Sequence, residues 1–191
     1  MSADRRLVLL MSASLDGFLA RPDHSLDWFL DEPAGEPRQD ARRHGATLEY
    51  LGQAGQIVLG RRAGTDMAPA WQNSDSPMAQ RINALPKVVF SSTVTSIDWD
   101  NARVSDAPIE EALPALKAEG GPDIVCFGGA RFAHALAAAD LIDEYRLTVH
   151  PVALGEGLPL WHGLPAPQRL RLESSTVYAD GSVLQTLVRP R

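Results

Sequence analysis

The chain contains one cysteine, Cys126, so an intrachain disulfide is excluded. A lone thiol inside an apolar run reads as a small buried hydrophobe, and the composition suits a reducing, cytoplasmic setting. Positive charge is also short. Lysine and arginine number 18 against 24 aspartates and glutamates, for a formal net charge of −6. With a pI near 5.3 and no basic stripe, a nucleic-acid surface is not expected. No apolar run is long enough to span a bilayer. The dinucleotide fingerprint G-x-G-x-x-G does not follow the first apolar run, and the serine elbow G-x-S-x-G is missing. The histidines at 24, 44, 134, 150 and 162 lack metal-ligand spacing, so no metal is expected.

What is present suits one globular domain over residues 1–191. Hydrophobic residues make up 45% and charged residues 22%, enough apolar material for a core. Leu7–Ser14 reads as a buried first strand. Arg5-Arg6 before it gives the stretch some likeness to a minimal signal peptide, but the apolar run is too short, and the strand is preferred. Residues 21–37 read as a loop packing Leu26, Trp28, Phe29 and Leu30, and residues 38–54 as a helix. Further strands are expected at Ile57–Gly60, Pro86–Phe90, Ala102–Val104, Ile124–Phe127 and Glu144–Val149. Short helices are expected from Arg61 to Met67 and from Ser76-Pro77. Another follows Pro108, kinked or delayed by Pro114, and one more spans 131–139. Leu170–Val177 and Ser182–Val188, joined by Asp180-Gly181, predict a terminal hairpin. The pattern is an α/β layer with a mainly parallel central sheet and antiparallel C-terminal strands.

Several strands end in small, polar or basic residues. These ends are Gly60-Arg61-Arg62, Ser91-Ser92 and Gly128-Gly129-Ala130-Arg131. In an open parallel sheet, ligands bind beyond the carboxyl ends of the strands. Helix N-termini, hydroxyls and guanidinium groups at one edge make a phosphate-binding inventory, and arginines beside serines favour NADP over NAD. For Arg61 and Arg62 a solvated helix start fits equally well. Asp16 falls at the same edge, where a carboxylate can hold sugar hydroxyls or relay a proton; Asp-Gly is also a common turn pair. Trp28 and Trp71 are candidates to line a flat pocket, with core packing as the alternative.

Taken in order, certain stretches resemble the dihydrofolate-reductase-like family. They are Ser14-Leu-Asp16-Gly17-Phe-Leu-Ala20, Leu59-Gly60-Arg61, Gly128-Gly129-Ala130, Leu141-Ile-Asp143-Glu144 and Pro151-Val-Ala-Leu-Gly155-Glu-Gly157. The nearer likeness is to the C-terminal reductase domain of riboflavin-biosynthesis deaminase-reductases, over about residues 5–188. The resemblance implies a three-layer dihydrofolate-reductase-like fold, a homodimer and NADPH. It places Gly60, Arg61 and Arg62 near the pyrophosphate and Ser91 and Ser92 near the 2′-phosphate. Gly128, Gly129, Ala130 and Arg131 surround the phosphates, and Asp16 faces the substrate. The implied reaction reduces 5-amino-6-(5-phosphoribosylamino)uracil, with hydride going to a C=N or C=O carbon. A pteridine-like substrate and a non-catalytic nucleotide-binding protein are the alternatives. The chain departs from the family at Phe127, where a glutamate is usual, at Phe18, where a basic residue is common, and at Ala63, where threonine is usual. The zinc-ligand motifs of the deaminase half are missing. Phe127 therefore enters the candidate substrate site as an apolar residue.

Overall fold

The structure is a computed structural model and describes residues 5–30 and 41–190. Strand β1 (Leu7–Ser14) is followed by the short β2 (Phe18–Ala20), α1 (Asp27–Leu30) and α2 (Ala41–Gln53). Alternation then begins: β3 (Gln56–Gly60), α3 (Arg61–Gln72), α4 (Pro77–Ala84), β4 (Lys87–Phe90), β5 (Ala102–Ser105), α5 (Ile109–Ala118), β6 (Ile124–Cys126) and α6 (Ala130–Ala138). The chain closes with β7 (Glu144–His150), β8 (Leu158–Pro159), β9 (Arg171–Val177) and β10 (Val183–Val188).

The eight-stranded sheet has the order β5-β4-β3-β6-β1-β7-β10-β9. Strands β5 through β7 in that order are parallel, whereas β10 is antiparallel to β7 and to β9. Strand β1 is central, as its unbroken apolar run predicts, and Leu7, Val8 and Leu9 are fully buried. Alternate residues feed opposite faces. Leu7 and Leu9 join Cys126, Leu113 and Leu136 on the α5–α6 side. Val8, Leu59 and Val125 join Leu51, Ala63 and Ile82 on the side of α2, α3 and α4. Two helical layers thus sandwich one sheet, and the carboxyl ends of β1, β3, β4, β6 and β7 share an edge.

Some expectations needed correction. The loop expected over 21–37 contains α1, while residues 31–37 lie outside the described part of the chain. The helix expected from 38 is described from Ala41 onward. Helix α3 does not stop near Met67; it runs through Pro69 to Gln72. Helix α5 runs from Ile109 through Pro114. Pro114 removes one backbone donor, and Glu110, whose carbonyl would have accepted it, is exposed. Strands β2 and β8 are too short to show a period of two.

The amino edge of the sheet is closed by charge pairing. Arg6 binds Asp123 and Glu144, each at 2.5 Å, and Glu144 also accepts from Arg146 at 2.6 Å. Asp143 accepts the Leu7 amide at 2.7 Å and pairs with Lys117. The Asp143-Glu144 pair therefore locks β7 to β1 and is more than polar punctuation. Leu136 is fully buried on α6 beneath the sheet. Leu136→Ala is expected to cost about 2–5 kcal/mol, read by chemical denaturation.

Candidate functional site

Helices α3 and α6 both begin at the carboxyl edge, and small residues let them start side by side. Gly60 ends β3 and caps α3 without any side-chain hydrogen bond. A Cβ on Gly60 would lie 2.8 Å from the Cβ of Phe132. Gly129 caps α6, also without a side-chain bond, at φ 88° and ψ 90°. That backbone is in the positive-φ region where glycine is at ease. A Cβ on Gly128 would meet the Met67 sulfur at 2.8 Å, and one on Gly129 would sit 3.3 Å from Ala63 Cβ. Ala63 thus faces the glycine pair, and its small size belongs to the same close approach.

The first-turn amides of α3 and α6, including those of Arg61, Arg62, Ala130 and Arg131, have no capping side chain. Orphan N–H groups and two helix dipoles make this gap attractive to an anion. The Arg61, Arg62 and Arg131 side chains are exposed beside it. Arg62 makes an ion pair with Asp66 at 3.3 Å across one helical turn. Such an exposed pair holds little energy and exchanges readily for a phosphate. The cradle that Cβ atoms would fill, with arginines at its rim, fits a dinucleotide pyrophosphate. Phe90 stacks on Phe132 with ring centroids 5.4 Å apart and ties the end of β4 to the same junction. Just beyond it, the Ser91 hydroxyl accepts the amides of Thr93 and Val94, both at 3.1 Å. Ser92 is exposed.

Asp16 lies in the β1–β2 turn. Its Oδ1 accepts from Ser14 Oγ at 2.6 Å and from the Leu154 amide at 3.1 Å, and its Oδ2 from the Gly155 amide at 2.7 Å. The Ser14 hydroxyl, then these amides, hold the carboxyl down to a pKa of about 2. These bonds favour its ionised form at neutral pH, an acceptor of hydrogen bonds. One lone pair of Oδ2 remains to orient a donor on a substrate. The larger role visible in the structure is mechanical: Asp16 fastens the loop after β7 to the end of β1. The Leu15 amide bonded to the Val152 carbonyl at 2.7 Å strengthens the same joint.

Trp28 reaches the carboxyl edge. It meets His150 edge-on, with ring centroids 5.5 Å apart. His150 ends β7 opposite Ser14, and its Nε2 lies 3.1 Å from Ser12 Oγ. Thr148 pairs in register with Ser12 on the same face and is also buried. These side chains form a polar floor beneath an indole. Sequence reasoning passed over His150, though the alternation from Glu144 onward reaches it. Phe127 packs into the neighbouring apolar cluster. Trp71 does not come to this edge. It lies ten residues along α3, about 15 Å from its start. There it packs among residues of the α2–α4 side, while Gln72 next to it bonds the Asp98 carbonyl near the amino end of β5. Of the two readings of Trp71, this placement favours core packing over a pocket wall. A cavity of about 740 Å³ at the opposite, amino edge is lined by Arg6, Tyr50, Asp123 and Arg146. These four side chains engage one another: Arg146 stacks on Tyr50 at 3.8 Å, Tyr50 bonds Asp123, and Asp123 pairs with Arg6.

The sequence pattern of the RibD C-terminal domain family matches residues 5–184. The chain belongs to this family. Relatives of the chain include the uncharacterised Bacillus subtilis protein YyaP, 29% identical over 184 residues, covering 94% of this chain and 92% of that one. Another is YwjB of the same organism, 30% identical over 180 residues, covering 93% and 94%. A putative riboflavin biosynthesis protein from Shewanella sp. PV-4 superposes with a TM-score of 0.77 at 24% identity, over 97% of this chain and 99% of its own. The deaminase/reductase of Thermotoga maritima superposes at 0.66 and 14% identity, over 98% of this chain but 57% of its own. The shared fold is the dihydrofolate-reductase-like one, as the sequence resemblance implies.

Two outcomes test the geometry. The Leu154 and Gly155 amide resonances should titrate with a midpoint near the Asp16 pKa of about 2. The clamp should hold above the ordinary aspartate range and fail as pH falls through that value. Gly129→Ala should lose about 1–3 kcal/mol of stability by chemical denaturation, because alanine is strained at this φ and its Cβ presses on Ala63.

Proposed function

We propose that the protein is an NADPH-dependent reductase of a small, planar substrate. The observation that carries this reading is the pair of uncapped helix N-termini, set side by side over Gly60, Ala63, Gly128 and Gly129 and rimmed by arginines. Family membership supports reductase chemistry. The nicotinamide supplies hydride to a C=N or C=O carbon when the cofactor is bound. The chain's own residues bind and orient. The first-turn amides of α3 and α6, with Arg61, Arg62 and Arg131, hold the pyrophosphate. Ser91 and Ser92 serve the 2′-phosphate. Asp16 keeps the β1–β2 turn and the loop after β7 together and offers its remaining lone pair to the substrate. Trp28 forms one wall over Ser12, Thr148 and His150, and Phe127 excludes water on the other side.

The uracil substrate of the riboflavin pathway is the first candidate. Phe127 and Phe18 favour a less polar alternative, pteridine-like in its flat shape and hydrogen-bonding edge. Both phenylalanines replace polar groups usual in the deaminase-reductases. Phe18 is committed to packing, since a Cβ on Gly157 would lie 3.0 Å from it. A homodimer is part of the proposal.

NADPH should quench tryptophan emission and bind more tightly than NADH; failure of both to bind defeats the cofactor assignment. Arg61→Ala should weaken NADPH by roughly tenfold or more, the worth of a charge-assisted hydrogen bond. Substrate-dependent loss of NADPH absorbance, on the order of 1 s⁻¹ or faster for a typical enzyme, separates turnover from simple nucleotide binding. Comparing the phosphoribosylaminouracil with a dihydropteridine identifies the substrate class.

A further inference from the structure

We propose that Ser12 is a specificity-determining residue whose hydroxyl bonds the polar ring edge of the substrate, and that His150 is the positioning residue that fixes this hydroxyl. The substrate class so selected is a planar nitrogen heterocycle carrying ring N–H beside C=O. This rests on the reductase reading above and deepens it. Neither residue belongs to the motifs or to the stretches that carry the family resemblance.

On the side of α2, α3 and α4, alternate residues of β1 run Val8, Leu10, Ser12 and Ser14. Thr148 and His150 of β7 stand in register with Ser12 and Ser14. This face therefore changes from apolar side chains to hydroxyls and an imidazole as the strands reach the carboxyl edge, where a parallel sheet binds its ligands. Burying such groups costs free energy unless each is hydrogen-bonded. Ser14 is satisfied, since its Oγ donates to Asp16 at 2.6 Å and accepts the Phe18 amide at 3.0 Å. Thr148 differs. It is only 8% exposed, and its hydroxyl makes no hydrogen bond among the described residues. A buried hydroxyl left unpaired beside Ser12 calls for a partner from outside the chain.

Ser12 is the member of this group that a ligand can reach. It is half-buried, whereas His150 is 7% exposed. The His150 Nε2 lies 3.1 Å from Ser12 Oγ, and the edge-on contact with Trp28 restricts how the imidazole turns. Either tautomer leaves Ser12 with capacity to spare. If the imidazole donates, the hydroxyl keeps its O–H and one lone pair; if the hydroxyl donates, it keeps two lone pairs. Leu10 and Phe127 belong to the apolar cluster on the same side of the sheet. A flat ring over this floor meets apolar side chains and, at one edge, hydroxyls that can both give and accept. That pattern matches N–H beside C=O. A site built to hydrogen-bond such an edge discriminates strongly against a ring that lacks it.

The test is calorimetric binding of 7,8-dihydropterin, 5,6-diaminouracil and naphthalene to the full chain, with and without NADP+, and of NADPH in parallel. Wild type should bind one of the heterocycles, and naphthalene roughly tenfold more weakly or worse. Ser12→Ala should weaken that heterocycle by roughly tenfold and leave NADPH affinity unchanged. His150→Gln, which keeps a polar group toward Ser12, should lose less than His150→Leu. In the Ser12→Ala background, His150→Leu should cost no further heterocycle affinity, whereas a merely structural histidine would cost the same in both backgrounds. Wild type that binds NADPH but neither heterocycle, or Ser12→Ala with undiminished heterocycle affinity, overturns this inference and leaves the cofactor reading standing. Additive losses in the double variant overturn the role of His150. Wild type that binds neither NADPH nor any heterocycle overturns the reductase reading and this inference with it.

Discussion

Two helices can begin side by side at a sheet edge only if the residues between them have almost no side chain. That constraint governs this molecule. Phe132 rests on Gly60, and Ala63 rests on the Gly128-Gly129 pair, so a single methyl group at Gly60 or Gly129 presses on its neighbour. Phe132 in turn stacks on Phe90, which extends the contact to the third strand end. The close approach leaves two sets of first-turn amides without a capping side chain in one place. An unpartnered helix end is tolerable where water or a ligand can reach it, and it is where negative charge is best stabilised. The departure at Ala63 acquires a physical meaning here. A larger side chain facing Gly129 would have to share a space that the alanine Cβ already limits.

A second constraint fixes what surrounds that gap. Asp16 gathers Ser14 Oγ and the Leu154 and Gly155 amides, and so binds the exit of the central strand to the loop after β7. The opposite edge is closed by Arg6, Asp123, Glu144 and Arg146. Ion pairs there consume one another's charge, and a sizeable cavity results that offers no unspent polar group among the residues discussed. The chemistry is left to the carboxyl edge, where arginines are exposed and a buried histidine and threonine, with the half-buried Ser12, line the face beneath Trp28.

Much of the fold was legible because strand alternation and helix spacing report burial directly. The expected strands at Ile57–Gly60 and Ala102–Val104 and the terminal hairpin match β3, β5, β9 and β10 to within a residue. The ends of these strands, and so the edge on which the candidate cofactor residues stand, were legible for the same reason. Side-chain direction was less so. Asp16 read as a free carboxylate because Asp-Gly says nothing about a loop 138 residues away in sequence, whose amides it holds. Tryptophan type alone leaves pocket and core open for Trp71, and only the run of α3 past Pro69 to Gln72 carries it away from the edge. His150 is not legible as a site residue because histidine spacing speaks only to metals. Only tertiary placement brings Trp28 and Ser12 to its ring.

The most direct measurement is a crystal structure of the full chain grown with NADPH. The account predicts the pyrophosphate within hydrogen-bonding reach of the first-turn amides of both α3 and α6, with Arg62 and Arg131 around it and the nicotinamide directed toward Trp28. A dinucleotide bound elsewhere, for example in the cavity beside Tyr50 and Arg146, or one touching neither helix start, would contradict it.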